Sequence, residues 1–186
     1  MSRSRGRRAA FTLVALLTVT AIIATLAAIL LPVFARAREQ ARAAMCVSNL
    51  SNIAIGLKIY AEDHAGLLPP REDDLGPLYP RYLATSQIFR CPSKSDTVCS
   101  YIYNIYLNNR ADAEIAQPAQ TVTIADSTGN GWWGIDGSTM ATYGHPNCRI
   151  KDMNKEGANF GFCDGHAKWQ KRENWLPSQW YPTWTP

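Results

Sequence analysis

Beyond its first ten residues, the sequence has no excess of either charge. Four of its 19 Lys and Arg residues precede residue 9, and the other fifteen stand against 15 Asp and Glu residues. A neutral body without a lysine-rich stretch offers no continuous basic surface to a phosphate backbone. The composition therefore predicts no nucleic-acid partner.

The chain also lacks the local motifs of common enzymes. It has no Gly-x-Ser-x-Gly turn for a nucleophile, no phosphate-binding glycine loop and no His-Glu-x-x-His zinc motif. Its 186 residues leave room for one modest domain and an appendage, which excludes a large multidomain enzyme. We therefore predict a protein that is not an enzyme and that needs no cofactor.

Charge is missing altogether between Arg8 and Arg36. An apolar helix over residues 11–34 is long enough to cross a bilayer of roughly 30 Å at about 1.5 Å per residue. The arginines before it predict a cytoplasmic N-terminus and a body on the outer side of the cytoplasmic membrane. The alternative is a secreted protein cut after Ala37. However, the apolar region of a signal peptide usually has only about 7 to 15 residues, so the length favours a retained helix.

A second pattern follows, because no proline occurs between Pro32 and Pro69. Apolar residues recur at alternating spacings of four and three, which predicts one buried face of a helix. These residues are Cys46, Leu50, Ile53, Leu57 and Tyr60. With Gly66 as the stop and Pro32 as a local irregularity, we predict a single helix over residues 11–65.

The remainder of the chain, residues 66–186, is rich in Pro, Gly, Tyr and Asn with short apolar runs, which is typical of strands and loops. Residues 158–163 and 166–170 flank an Asp-Gly pair that suits a two-residue type I′ hairpin turn. Residues 121–125 are β-branched and predict a further strand. The predicted fold class is α+β: a long hydrophobic and then amphipathic N-terminal helix, followed by a small antiparallel β-sheet domain with an aromatic C-terminal tail.

The N-terminal segment resembles a known family. Phe11-Thr12-Leu13 after a short basic leader, the apolar run and Pro32 resemble the N-terminus of type IV pilins and type II secretion pseudopilins. Later segments occur in the order found in pilin-like proteins that carry a prepilin-type processing-associated C-terminal domain. These segments are FRCPS at 89–93, SYIYN at 100–104, TIADS at 123–127 and GANFGFCDGHAKW at 157–169.

The resemblance implies a processing step and a mode of assembly. A prepilin peptidase would remove the leader, residues 1–10, by cutting between Ala10 and Phe11, and would methylate the new amino group of Phe11. The helix would then be held in the cytoplasmic membrane until an assembly machinery of a pilus or secretion system packs it with other copies in a filament at the cell surface. The residues implied in the membrane and filament core are Phe11, Leu13, Val14, Ala15, Leu16, Leu17 and Pro32.

Three positions depart from the family pattern. Ala10 replaces the usual glycine before the cut, and Asn154 replaces a histidine that usually stands ten residues before the Asp-Gly pair. Ala15 replaces a glutamate, and this loss resembles minor or tip pseudopilins, or a filament whose register is set by helix packing alone. A membrane-anchored binding domain that never polymerises is a further alternative.

The chain has five cysteines. In a domain that faces an oxidising compartment, they are expected to form disulfides with one left over. Closeness in sequence and the hairpin predict the pairs Cys91–Cys99 and Cys148–Cys163, which would leave Cys46 as a free, buried thiol.

Two metal sites are weaker alternatives. His145, Cys148, Cys163 and His166 have paired short spacings that could hold zinc tetrahedrally. Asp126 and Asp136 could offer oxygen ligands to calcium, which some pseudopilins bind in their C-terminal loops. Turn formation explains the acidic and glycine residues of that loop equally well, so no metal is predicted.

Overall fold

The structure is a computed structural model, and it describes residues 13–70, 76–92, 101–126, 157–171, 174 and 176–179. The chain divides into two compact units, Met1–Arg38 and Glu39–Pro186. The fold is α+β, with one long N-terminal helix and an open four-stranded antiparallel sheet. This confirms the fold class predicted from the sequence.

Helix α1 runs from Leu13 to Asp63, and Pro32 lies inside it without ending it. The helix ends two residues before the predicted bound, and two residues beyond its end adopt a left-handed conformation, Ala65 with φ of 56° and Gly66 with φ of 81°. The Gly66 N–H donates to the carbonyl of Ala61 at 2.7 Å, which satisfies one of the last helical carbonyls.

The first unit contains the apolar part of α1. Its large aliphatic side chains are exposed, and no residue of its most apolar stretch is buried. Three threonine hydroxyls within it donate to the carbonyls three residues earlier: Thr18 at 3.0 Å, Thr20 at 2.9 Å and Thr25 at 2.8 Å. These hydroxyl donors are therefore already hydrogen-bonded and can lie in an apolar environment.

In the second unit, four strands form a sheet with the order β1-β2-β3-β4 and antiparallel pairing throughout. The strands are β1 (Tyr101–Tyr103), β2 (Val122–Asp126), β3 (Gly157–Phe162) and β4 (Ala167–Lys171). Strands β2, β3 and β4 lie within one residue of the ranges predicted from the sequence, whereas the Tyr-Ile-Tyr segment of β1 was not predicted as a strand.

The hairpin between β3 and β4 has a different turn from the one predicted. Gly165 has a φ of 94°, and no other turn residue has a positive φ, so the type I′ prediction is wrong. The Gly165 N–H donates to the Phe162 carbonyl at 2.9 Å, and the Phe162 N–H donates to the His166 carbonyl at 2.9 Å. This is a longer turn closed by a left-handed glycine. The Asp164 carboxylate accepts from the His166 N–H at 3.1 Å, which favours this geometry.

The core lies between the amphipathic part of α1 and one face of the sheet. All five residues predicted for the buried face of α1 are buried. The helix and strand β3 approach closely at Gly161, where an added Cβ would lie 3.2 Å from the Leu50 carbonyl oxygen. A second buried cluster comprises Ile102, Val122, Ala125, Ala158, Phe160 and Phe162.

Candidate functional site: an exposed apolar helix and buried polar groups

The most prominent surface of the described chain is the apolar part of α1. Leu13 is 76% exposed, Leu31 70% and Phe34 69%. By length and composition this helix could cross a membrane. It is a candidate membrane anchor. Of the residues implied in the membrane or filament core, Leu13, Val14, Leu16, Leu17 and Pro32 are exposed and Ala15 is half-buried. Ala10 and Phe11 lie outside the described residues.

This surface has two chemically different sides. At 100° per residue, spacings of three and four keep residues on one side of a helix. Thr18, Ala21, Thr25 and Ala28 follow that spacing and form a side of small residues, which we call the small face. The opposite side carries large aliphatic residues at the same spacing. They include Leu16, Val19, Ile23 and Leu30.

The cysteines pair differently from the prediction. Cys46 and Cys91 form a disulfide with their Cα atoms 5.4 Å apart, so the predictions of a Cys91–Cys99 bond and of a free Cys46 are wrong. Cys163 is a buried free thiol, so the predicted Cys148–Cys163 bond is also wrong. The physical reason is that the segment after the short helix Ser86–Phe89 returns to the first buried turn of α1. Cys99 and Cys148 lie outside the described residues.

The surroundings of the disulfide join three elements. Asn49, one turn after Cys46, donates from Nδ2 to the Arg90 carbonyl at 3.2 Å and to the Tyr101 hydroxyl at 3.4 Å. The first buried turn of α1, the segment before Cys91 and strand β1 therefore meet here. Covalent and hydrogen bonds hold this junction together.

The zinc hypothesis gains no support in the described residues. Cys163 is buried, and burial, reinforced by the nearby charge of Asp112, raises the pKa of its thiol well above the ordinary value. His166 is hydrogen-bonded through Nδ1 to Asp164 and stacks on Phe162 with ring centroids 4.3 Å apart. The described part of the chain contains no group of three or more His, Cys, Asp or Glu residues that could hold a metal ion. His145 lies outside it, as Cys148 does.

The Asp164–His166 contact also affects the carboxyl group. Partial burial raises the pKa of Asp164, but the hydrogen bonds that it accepts from His166 outweigh this effect and leave the pKa below its ordinary value. Both side chains are more than one-third exposed. We therefore assign the pair to the hairpin turn.

Asp126 is a buried carboxyl group at the end of strand β2. Its Oδ2 accepts from the backbone N–H of Asn159 at 3.0 Å and from Asn159 Nδ2 at 2.7 Å. Its Oδ1 is buried and has no hydrogen-bond partner among the described residues. Burial raises the pKa of Asp126 to about 7, although the two hydrogen bonds from Asn159 act in the opposite direction. Asp136, the other calcium candidate, lies outside the described residues.

Sequence reasoning missed this pair and also the true disulfide. Asn159 could have been singled out because it is a polar residue within an otherwise apolar strand. The neighbouring strand β2 ends in the carboxylate of Asp126. Cys46 could have been singled out because it lies on the buried face of α1, where a second buried cysteine can form a disulfide with it.

Comparison with known proteins identifies no relative of this chain. No family model matches the chain, and neither the curated proteins nor the solved structures give a match. The pilin-like layout of a long apolar helix followed by a small antiparallel sheet therefore stands on the chain's own sequence and structure.

Proposed function

We propose that the chain is a structural subunit of a type IV pilus-like filament. The observation that carries the proposal is that one continuous helix, α1, serves two purposes. Its apolar part exposes large aliphatic side chains, and from Cys46 onward the same helix supplies the buried face of a folded domain. An apolar helix that continues in sequence into the helix of an outer domain suits a subunit that is stored in a membrane and later packed against copies of itself.

The energetics of such assembly rest on packing. Lipid and the core of a helix bundle are similarly apolar, so hydrophobic transfer contributes little to moving a helix from one to the other. Close approach at small residues contributes more, and the small face offers it. Ala15 carries no charge, so the subunit register would depend on helix packing. A repeated head-to-tail contact that does not close gives a filament.

The disulfide supports placing the body outside the cytoplasm. Disulfides persist in oxidising compartments and are rare in the cytosol. The bond between Cys46 and Cys91 agrees with the orientation that the N-terminal arginines predict. The chain would first lie in the cytoplasmic membrane and later at the cell surface.

Processing completes the proposal. A prepilin peptidase would cut between Ala10 and Phe11 and methylate Phe11, and the assembly machinery of a pilus or secretion system would then extract the subunit. No catalytic group or bound cofactor has a part in this role. The remaining partners are other copies of the chain and the membrane.

The test is to recover sheared cell-surface material, measure the intact mass and N-terminal sequence, and image the same fraction by negative stain. A chain that begins at methylated Phe11 within thin filaments would support the proposal. A chain that begins at Met1 and stays in membranes would favour an anchored binding domain. A soluble chain that begins at Arg38 would favour a secreted protein.

A matched pair of variants tests the role of the small face. Ala21→Leu with Ala28→Leu fills this face and should abolish filaments while membrane insertion remains. Ile23→Leu with Leu30→Ile alters the opposite side at constant volume and should leave filaments intact. Equal filament yields from the two variants would contradict assembly through the small face.

A minor or tip subunit is the second candidate, and Ala15 is the observation that favours it. A subunit without the usual carboxylate lacks one means of bonding to a neighbour within the filament. Immunogold labelling distinguishes the two roles. Label along the whole filament indicates a major subunit, and label confined to the ends indicates a tip subunit.

A further inference from the structure

The Cys46–Cys91 disulfide is buried, so a thiolate from another molecule cannot reach either sulfur atom in the folded domain. Cys46 is 0% exposed and Cys91 is 2% exposed. Along α1, Cys46 is the first buried residue of the described helix. Leu50 and Phe89 beside the bond are buried as well. The sulfurs therefore lie inside the hydrophobic core that α1 forms with the sheet.

Enclosure fixes the order of events. A disulfide forms or breaks when a thiolate reaches a sulfur atom, and a protein oxidant needs access for this attack. No such access exists after α1 has packed on the segment that ends at Cys91. Oxidation must therefore precede this packing.

We propose that a disulfide-carrying thiol oxidoreductase in the compartment that receives the body acts on Cys46 and Cys91 before the amphipathic part of α1 docks, and that the folded domain then seals the bond. A thiolate of one of these cysteines attacks the disulfide of the oxidoreductase and forms a mixed disulfide. The thiolate of the second cysteine attacks this bond and completes the intramolecular disulfide. The chain loses two electrons and two protons, and the oxidoreductase leaves as a dithiol.

The positions of the cysteines explain why an exchange partner is needed. The native bond joins residues 45 positions apart. Cys99 lies far closer to Cys91 in sequence, and the smaller loop closes at a lower entropic cost. An open chain therefore forms the local bond readily, and an enzyme that also exchanges disulfides would convert it to the native one. Cys163 cannot take part in disulfide exchange after it is buried as a free thiol.

The first test measures whether the bond is sealed. Full-length oxidised protein in mild detergent is treated with dithiothreitol at increasing urea concentration, alkylated at intervals and mapped by mass spectrometry. We expect reduction of Cys46–Cys91 to be at least about 100-fold slower in native buffer than in unfolding urea, since it requires opening of core packing. Equal rates, or a native bond between Cys91 and Cys99, would overturn the proposal.

The second test looks for the partner. An oxidoreductase variant that lacks its resolving cysteine is produced in cells that make the full chain, and mixed disulfides are mapped. The expected result is a mixed disulfide at Cys46 or Cys91. This product should persist in Cys163→Ser. Mixed disulfides of the wild-type chain that map only to other cysteines would overturn the proposal.

The inference rests on one part of the proposed function, namely that the body lies outside the cytoplasm. It does not require a filament. Failure of filament assembly with a trapped mixed disulfide would refute only the proposed function. Filaments whose subunits gave no mixed disulfide would refute only this inference.

Discussion

Asp126 should make the stability of the outer domain depend on pH. Burial raises the pKa of its carboxyl group from the ordinary 3.8 to about 7 in the folded chain. As the pH rises from about 4 to about 7, the unfolded chain releases this proton while the folded chain still holds it. The contribution of Asp126 to the free energy of unfolding is therefore fully present below pH 4 and is lost as the pH rises through 7.

The size follows from the two pKa values. A difference of one pKa unit corresponds to about 1.4 kcal/mol, so the total contribution is on the order of 4 kcal/mol. Between pH 5 and pH 8, this single group should lower the free energy of unfolding by about 2 to 3 kcal/mol.

The comparison between wild type and Asp126→Asn isolates the effect. The substituted side chain keeps an oxygen that can accept from Asn159, but it does not titrate. Urea unfolding of the full chain in mild detergent at pH 5 and pH 8, followed by tryptophan fluorescence, gives the free energies. The variant should lose this decrease of about 2 to 3 kcal/mol, while Glu62→Gln, at an exposed site, should retain it. Parallel pH profiles for wild type and Asp126→Asn would refute the reasoning.

Gly161→Ala should lower the free energy of unfolding by about 1 to 3 kcal/mol, because the new methyl group would lie 2.7 Å from a strand β2 side chain and 3.2 Å from the Leu50 carbonyl oxygen. Cys46→Ser with Cys91→Ser should lower it by about 4 kcal/mol, the loop-entropy value for a cross-link that spans 45 residues. Asn104→Ala should cost about 2 kcal/mol, since a fully buried amide loses hydrogen bonds of 2.7 and 3.1 Å. Urea unfolding in detergent measures all three.

Matched controls accompany these variants. Gly56→Ala places its methyl group 3.1 Å from the flexible end of Leu83, so its cost should be smaller than that of Gly161→Ala. Asn52→Ala changes an exposed amide on α1 and should be neutral or slightly stabilising. Cys163→Ser should leave the disulfide formed. A cost for Asn52→Ala that equals the cost for Asn104→Ala would contradict the burial argument.

The sequence by itself determined the helix, its apolar part and most of the sheet. Each of these features corresponds to a local pattern of residues in the sequence. The alternating spacings from Cys46 to Tyr60 mark one face of α1, and the absence of charge before Arg36 marks the exposed apolar surface. Gly66 lies just beyond the end of the helix, and its left-handed conformation follows from a local property of glycine. Local patterns of this kind can be interpreted without knowledge of neighbouring elements.

Tertiary structure alone decided which distant groups meet. Cys46 binds Cys91 because the chain returns to the first buried turn of α1, which closeness in sequence does not encode. Asp126 and Asn159, 33 positions apart, become partners only through the pairing of β2 with β3. The raised pKa of Asp126 follows from burial, which is a property of the assembled core. Pairing, burial and access depend on all the elements at once, and so they emerge only when the chain is folded.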